Sequence, residues 1–150
     1  MCETADGSLR AVDCGVILTP PDLPLAQRLL LLHRRLRELI LLHRPQQGAV
    51  EKLFFHRNVR TALSVGQARG VALLALAEAD LPVAEYTPLE VKQAVAGYGG
   101  ADKPQVQQMV RALLGLAQVP QPDDAADALA VAICHLHSAR MKALVESEKI

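Results

Sequence analysis

Cysteine is scarce in this chain, with Cys2, Cys14 and Cys134 the only three among 150 residues, and they form no CxxC and no histidine-paired spacing. Neither a zinc site nor a disulfide framework is indicated, and a reducing cytoplasm suits such thiols best. Long apolar runs are missing too. None approaches the roughly 20 residues of a membrane helix, and the opening MCETADGSLR carries acids where a secretion signal would be basic and then apolar. The expectation is a soluble, unexported, cytoplasmic protein with no membrane partner. Net charge is absent as well: Lys and Arg number 16, Asp and Glu 16, which argues against indiscriminate binding to polyanions. No internal repeat or low-complexity stretch interrupts the chain.

What is present is apolar content, 51% of residues, enough for one globular domain with a sizeable core across residues 1–150. The β-branched run LRAVDCGVIL (9–18), bounded by Gly7 and by Pro20 and Pro21, predicts a strand. Leu25, Leu29, Leu32, Leu36, Leu39 and Ile40 recur at helical spacing and predict a long helix over 23–43, with Asp22 as its cap and Pro24 in its first turn. GAVEKLFF (48–55) reads as a strand, residues 58–80 as a helix containing Gly66 and Gly70, and PVAEY (82–86) as a short strand. Helices are expected at 88–96, 102–116 and 124–137, and a polar tail that frays after Arg140. This alternation predicts an α/β layered domain. Gly66 and Gly70, one turn apart, would let their helix pack closely against the sheet or against a second subunit.

The segment PDDAADALAVAICH (122–135) places Asp124 and Asp127 three residues apart, on one face at the start of an otherwise apolar helix. If that helix is buried nearly all round, its acid must be neutralised, hydrogen-bonded or bound to a cation. A hard divalent ion such as Mg²⁺ takes carboxylate oxygens, and a helix N-terminus favours anions in any case. Capping by Asp124 and a solvated Asp127 would produce the same sequence. Glu51 is a third acid of interest, because its strand neighbours are apolar and a carboxylate there is costly without a partner. Were the last helix to pack beside this strand, Glu51, Asp124 and Asp127 would converge, repelling one another unless metal binds. Two metal ions in such a cluster can hydrolyse a phosphodiester. Pairing of Glu51 with Lys52 or Arg57 is the simpler alternative.

Basic residues concentrate between positions 28 and 60, where Arg28, Arg34, Arg35, Arg37, Arg44, Lys52, Arg57 and Arg60 face only Glu38 and Glu51 in sequence. The segment is a candidate phosphate-facing surface, or a solvated helix face. Phe54 and Phe55 are the only phenylalanines. Strand alternation turns one of them inward and the other outward, where it could stack on an unpaired base.

In order and spacing, VEKLFF, SVGQARGVALLA, EYTPLEVKQAVAGYGGADKPQVQQMVRALLGL and DDAADALAVAICH closely resemble the RuvC-type Holliday-junction resolvases, over residues 9–140. The resemblance implies an RNase H-like fold, a mixed β-sheet flanked by helices. It implies a homodimer that nicks four-way DNA junctions in pairs during recombination and repair, beside a branch-migration motor of the RuvA and RuvB type. It also implies Mg²⁺, two ions per subunit, with Mn²⁺ as a substitute. The family's acidic cluster maps onto Glu51, Asp124 and Asp127, and its basic positions near the scissile phosphate onto Lys92 and Lys103. Phe54 falls where members carry a junction-stacking aromatic, with Arg57 and Arg60 beside it in the basic segment. A lysine next to a metal site can hold a phosphate or steady developing negative charge.

Resolvases of this type open with a strand close to GIDPG, whose aspartate is a fourth metal ligand, and a second strand follows. Here Met1 to Glu3 aligns with the end of that second strand, and Asp13 lies on the outer strand, where it does not replace the aspartate. The expectation from this comparison is a chain truncated at its start, poorly folded or inactive as it stands. An inactive junction-binding or interaction protein is the alternative function. Lys52 stands where members commonly have Gln.

Overall fold

The structure is a computed structural model that describes residues 1–52 and 59–147. Two compact units are present, Met1–Val16 with Tyr86–Ile150, and Ile17–Glu85.

The first unit opens with a hairpin. Strands β1 (Cys2–Glu3) and β2 (Leu9–Arg10) pair antiparallel, Cys2 opposite Arg10 and Glu3 opposite Leu9. Its turn is organised by Asp6, whose carboxylate accepts from the hydroxyl of Thr4, from the Ser8 amide at 3.0 Å and from the Ser8 hydroxyl at 2.8 Å. These bonds, that from Thr4 foremost, hold the Asp6 carboxyl down at about 2. Gly7 sits at φ +80°, a left-handed conformation that glycine enters without steric cost. The strand expected over 9–18 ends at Arg10. β-branched composition favours a strand only where a partner completes the ladder, and beyond Arg10 none of the described residues supplies one. Leu18 is 86% exposed.

The remainder of this unit is three helices, α3 (Pro88–Ala96), α4 (Lys103–Leu113) and α5 (Asp123–Ser147). The first two begin at capping boxes, Thr87 with Glu90 and Asp102 with Gln105, in which each side chain satisfies a backbone amide of the other. Proline at the start of each helix agrees with that start. Their apolar stripes, Val91 and Val95 on α3 and Val106 and Val110 on α4, are buried with Ala125, Ala126, Leu129, Ala130 and Ile133 of α5. Helix α5 runs ten residues past the expected end, and the tail predicted to fray after Arg140 is helical as far as Ser147. No Gly or Pro interrupts this stretch, which is rich in good helix formers.

The second unit holds α1 (Leu25–His43), β3 (Gly48–Glu51), α2 (Val59–Glu78) and β4 (Val83–Tyr86), the last residue of β4 belonging to the first unit. β3 and β4 pair in a sheet joined through α2, and α1 packs on α2. Pro24, not Asp22, is the N-cap of α1, and no side chain caps it. His33 Nε2 lies 2.8 Å from Glu78 and helps join the two helices. At Gly48 a Cβ would stand 2.7 Å from a methyl of Leu76, so a larger residue there would have to displace the Leu76 side chain. Gly66 and Gly70 differ from the expectation: a Cβ at either meets nothing within 4 Å, so neither serves close packing on the sheet. No helix among the described residues is long and apolar enough to cross a membrane.

Candidate active site

The start of α5 assembles the acidic part of the site. Asp123 and Asp124 occupy its first turn and Asp127 the next, at the end where the backbone amides point outward and the helix dipole is positive. The helix buries Ala125, Ala126, Leu129, Ala130, Val131 and Ile133, but Ala128 is exposed and Asp127 is 48% exposed. The expected near-complete burial therefore stops short of the acids. They stand at the rim of the core, where water offsets the cost of their charge.

Opposite them is Lys103, the first residue of α4. The loop at 97–102 and the capping box at Asp102 set this helix start against that of α5. The Lys103 ammonium lies 3.1 Å from the Asp127 carboxylate and 3.3 Å from that of Asp123. The hydrogen bond to Asp127, followed by that to Asp123, pushes its pKa above the ordinary lysine value, so the cation persists across the neutral range. Lys92 lies on α3 in the same unit, half-buried. Asp124, Asp127, Lys92 and Lys103 thus share one unit, and the structure joins Lys103 directly to Asp127.

Glu51 is the last residue of β3, in the other unit, and is exposed. Strand end and strand interior differ in this respect: the apolar burial of β3 is spent on Gly48, Ala49 and Val50, leaving Glu51 at the solvent edge. Its carbonyl accepts from Arg69 Nε at 3.2 Å, and the same guanidinium pairs with Glu85 of β4, so α2 clamps the ends of both strands. Phe54 and Arg57 lie outside the described residues, and Arg60 is the second residue of α2. Within the basic segment, Arg28 donates to Thr19, Arg35 pairs with Glu38 and Arg37 with Glu78. These three serve the fold around α1.

Asp123 was not singled out from the sequence, although its i, i+4 spacing to Asp127 places it on the same face. Nor was the pair Tyr86 and His135, whose hydroxyl and Nδ1 stand 2.9 Å apart. Among the described residues no three His, Cys, Asp or Glu side chains form a metal-holding group. Mg²⁺ needs no such cage, since one or two carboxylates with waters and substrate phosphates commonly hold it. Two oxygen-donor side chains one turn apart, in a cluster that already gathers an ammonium, match that chemistry.

Comparison with known proteins places most of the chain beside one family. The family model described as crossover junction endodeoxyribonuclease RuvC matches residues 1–135. A protein of that name from Roseiflexus sp. (strain RS-1) is 60% identical over 144 residues, 96% of this chain and 86% of the relative. Its namesake from Chloroflexus aurantiacus (strain ATCC 29366 / DSM 635 / J-10-fl) is 63% identical over 137 residues, covering 91% and 84%. Among solved structures, Thermus thermophilus RuvC superimposes with a TM-score of 0.83 at 43% identity, over 90% of this chain and 81% of that one. The same protein in complex with Holliday junction substrate gives 0.81 at 40% identity, over 89% and 82%.

Proposed function

The chain belongs to the RuvC family of crossover junction endodeoxyribonucleases, and from that membership we propose a structure-selective endonuclease that resolves four-way DNA junctions in recombination and repair. Its fold is of the α/β, RNase H-like class. The observation that carries the proposal is the pairing at the α5 start, where Lys103 reaches Asp127, one of the acids onto which the family's cluster maps, and its neighbour Asp123.

Asp124 and Asp127, with Glu51, would hold the metal, Mg²⁺ in our reading, at two ions per subunit and replaceable by Mn²⁺. When bound, the metal supplies an activated water and stabilises the leaving oxygen. The protein's own groups do the rest. Lys103 and Lys92 hold the scissile phosphate and offset the negative charge that grows on it during attack. Arg57 and Arg60 neutralise flanking phosphates, fixing register without reading sequence. Phe54 offers a flat apolar face on which an unpaired base at the junction can stack.

Paired nicking needs two active sites, and a homodimer supplies them. In favour of self-association, α1 leaves Leu41 and Leu42 70% and 71% exposed, and Gly66 and Gly70 on α2 have room beside them. A branch-migration motor of the RuvA and RuvB type is the partner assembly, and the cytoplasm the compartment. The test compares a synthetic four-way junction with a linear duplex of the same arm sequence in Mg²⁺. Nicks confined to the junction and placed symmetrically across it are expected, whereas equal cutting of the linear duplex would overturn the proposal.

A further inference from the structure

Lys103 occupies a position that its own helix does not favour. The first residue of α4 lies at the positive end of that helix, where a cation is repelled. The capping box of Asp102 and Gln105 already satisfies two backbone amides there without any contribution from the lysine side chain. Its ammonium is instead held from across the unit, at 3.1 Å from Asp127 and 3.3 Å from Asp123.

Two spacings meet at Asp127. Asp123 and Asp127, four residues apart, turn the same way and share Lys103. Asp124 and Asp127, three apart, are the pair assigned above to metal. Asp127 therefore belongs to both. A divalent ion on Asp127 draws off the charge that attracts Lys103 and repels the ammonium by like charge. Asp123 is then the anion within reach. Without it, a lysine with four rotatable bonds would sample solvent, and bringing it back to a phosphate would cost conformational entropy.

We propose that Asp123 is a positioning residue, retaining the Lys103 ammonium beside the site when a metal ion engages Asp127. This rests on the reading of Asp127 as a metal ligand and of Lys103 as a phosphate contact. Asp123 acts through the lysine, so its effect must vanish when the lysine does.

The test is a double-mutant cycle of Asp123→Asn and Lys103→Gln in the full chain, with two readouts. Mn²⁺ affinity is measured without DNA by electron paramagnetic resonance, and single-turnover junction cleavage is measured at saturating Mg²⁺. In the parent background, Asp123→Asn leaves Lys103 on Asp127 alone, where it competes harder with the ion. Mn²⁺ binding should weaken about threefold and the cleavage rate should fall about tenfold, with junction affinity held within about twofold. In the Lys103→Gln background the same change should alter either quantity by less than about twofold. Asp123→Glu, which keeps the charge, should recover most of the rate. Equal losses in both backgrounds would show Asp123 acting independently of Lys103, as a ligand or a general charge, and would overturn the proposal. A parental Mn²⁺ affinity in Asp123→Asn would do so as well. Absence of junction cleavage by the parent would count against the function proposed above, and the Mn²⁺ cycle would still decide the role of Asp123.

Discussion

The hydroxyl of Tyr86 lies 2.9 Å from Nδ1 of His135, with the two rings tilted at 59° and their centroids 5.9 Å apart. Tyr86 immediately precedes the cap of α3, which carries Lys92, and His135 lies two turns beyond Asp127 on α5. The pair therefore ties together the helices that carry Lys92 and the acidic residues. Burial pushes the Tyr86 phenol above its ordinary value, so its hydroxyl stays protonated across the neutral range. Tyr86→Phe should cost about 1 kcal/mol and lower Tm by roughly 2–4 °C in a chain of this size. Calorimetry checks this, and an unchanged melting temperature would show the bond to be energetically idle.

Removing the Lys103 charge should affect chemistry far more than binding. Lys103→Ala takes away the cation proposed to offset the developing negative charge, and the single-turnover rate should fall by roughly 10² to 10³. Junction affinity, spread over many phosphates, should change little. Quench-flow kinetics alongside gel shifts separate the two, and a loss of affinity matching the loss of rate would make Lys103 only a docking contact.

Junction affinity should fall steeply with salt. The slope of log K against log[salt] is about −0.9 per phosphate neutralised on duplex arms. Charge reversal at Arg57 or Arg60 should weaken binding to any DNA and flatten this slope by about one contact. Fluorescence anisotropy across a salt series reads both quantities, and a salt-independent affinity would contradict the electrostatic account.

The cysteines should differ sharply in reactivity. Cys134 is 1% exposed, and burial pushes its thiol pKa up, whereas Cys14 is exposed. An aromatic disulfide reagent at pH 8 should label Cys14 in the folded protein and reach Cys134 only on unfolding. Because the fold favours the neutral Cys134 thiol, its contribution is full below the ordinary thiol pKa and is lost as pH rises through the raised one. Rapid labelling of Cys134 in the native state would show that α5 opens readily.

Helix positions were legible because their signals are local. The starts of α3 and α4 follow from Thr87 with Glu90 and Asp102 with Gln105, each pair four residues long and flanked by proline and an apolar stripe. The placement of Asp124 and Asp127 one turn apart near the start of α5 was readable for the same reason. Strand 9–18 was not, since a strand needs a partner for each of its residues, and the short neighbouring strand Cys2–Glu3 pairs only Leu9 and Arg10. Asp22 failed as a cap because Pro24 already fixes the backbone at the start of α1. The role of Asp123 was hidden because the lysine it holds lies 20 positions earlier, and only the packing of α4 on α5 brings them together. The exposure of Glu51 likewise depends on how far β3 extends into its sheet, which apolar neighbours in sequence do not disclose.

Metal-dependent hydrolysis by Glu51, Asp124 and Asp127 is the centre of this account, and a Mg²⁺ titration of single-turnover junction cleavage tests it most directly. The parent, Asp127→Asn and Glu51→Gln are compared on one end-labelled four-way junction, with binding measured in parallel. The account predicts Mg²⁺-dependent paired nicks by the parent and no detectable nicking by either variant at any Mg²⁺ concentration, while both still bind the junction, because removing one ligand disrupts the geometry that the chemistry needs. Cleavage by Asp127→Asn at near the parental rate would contradict it.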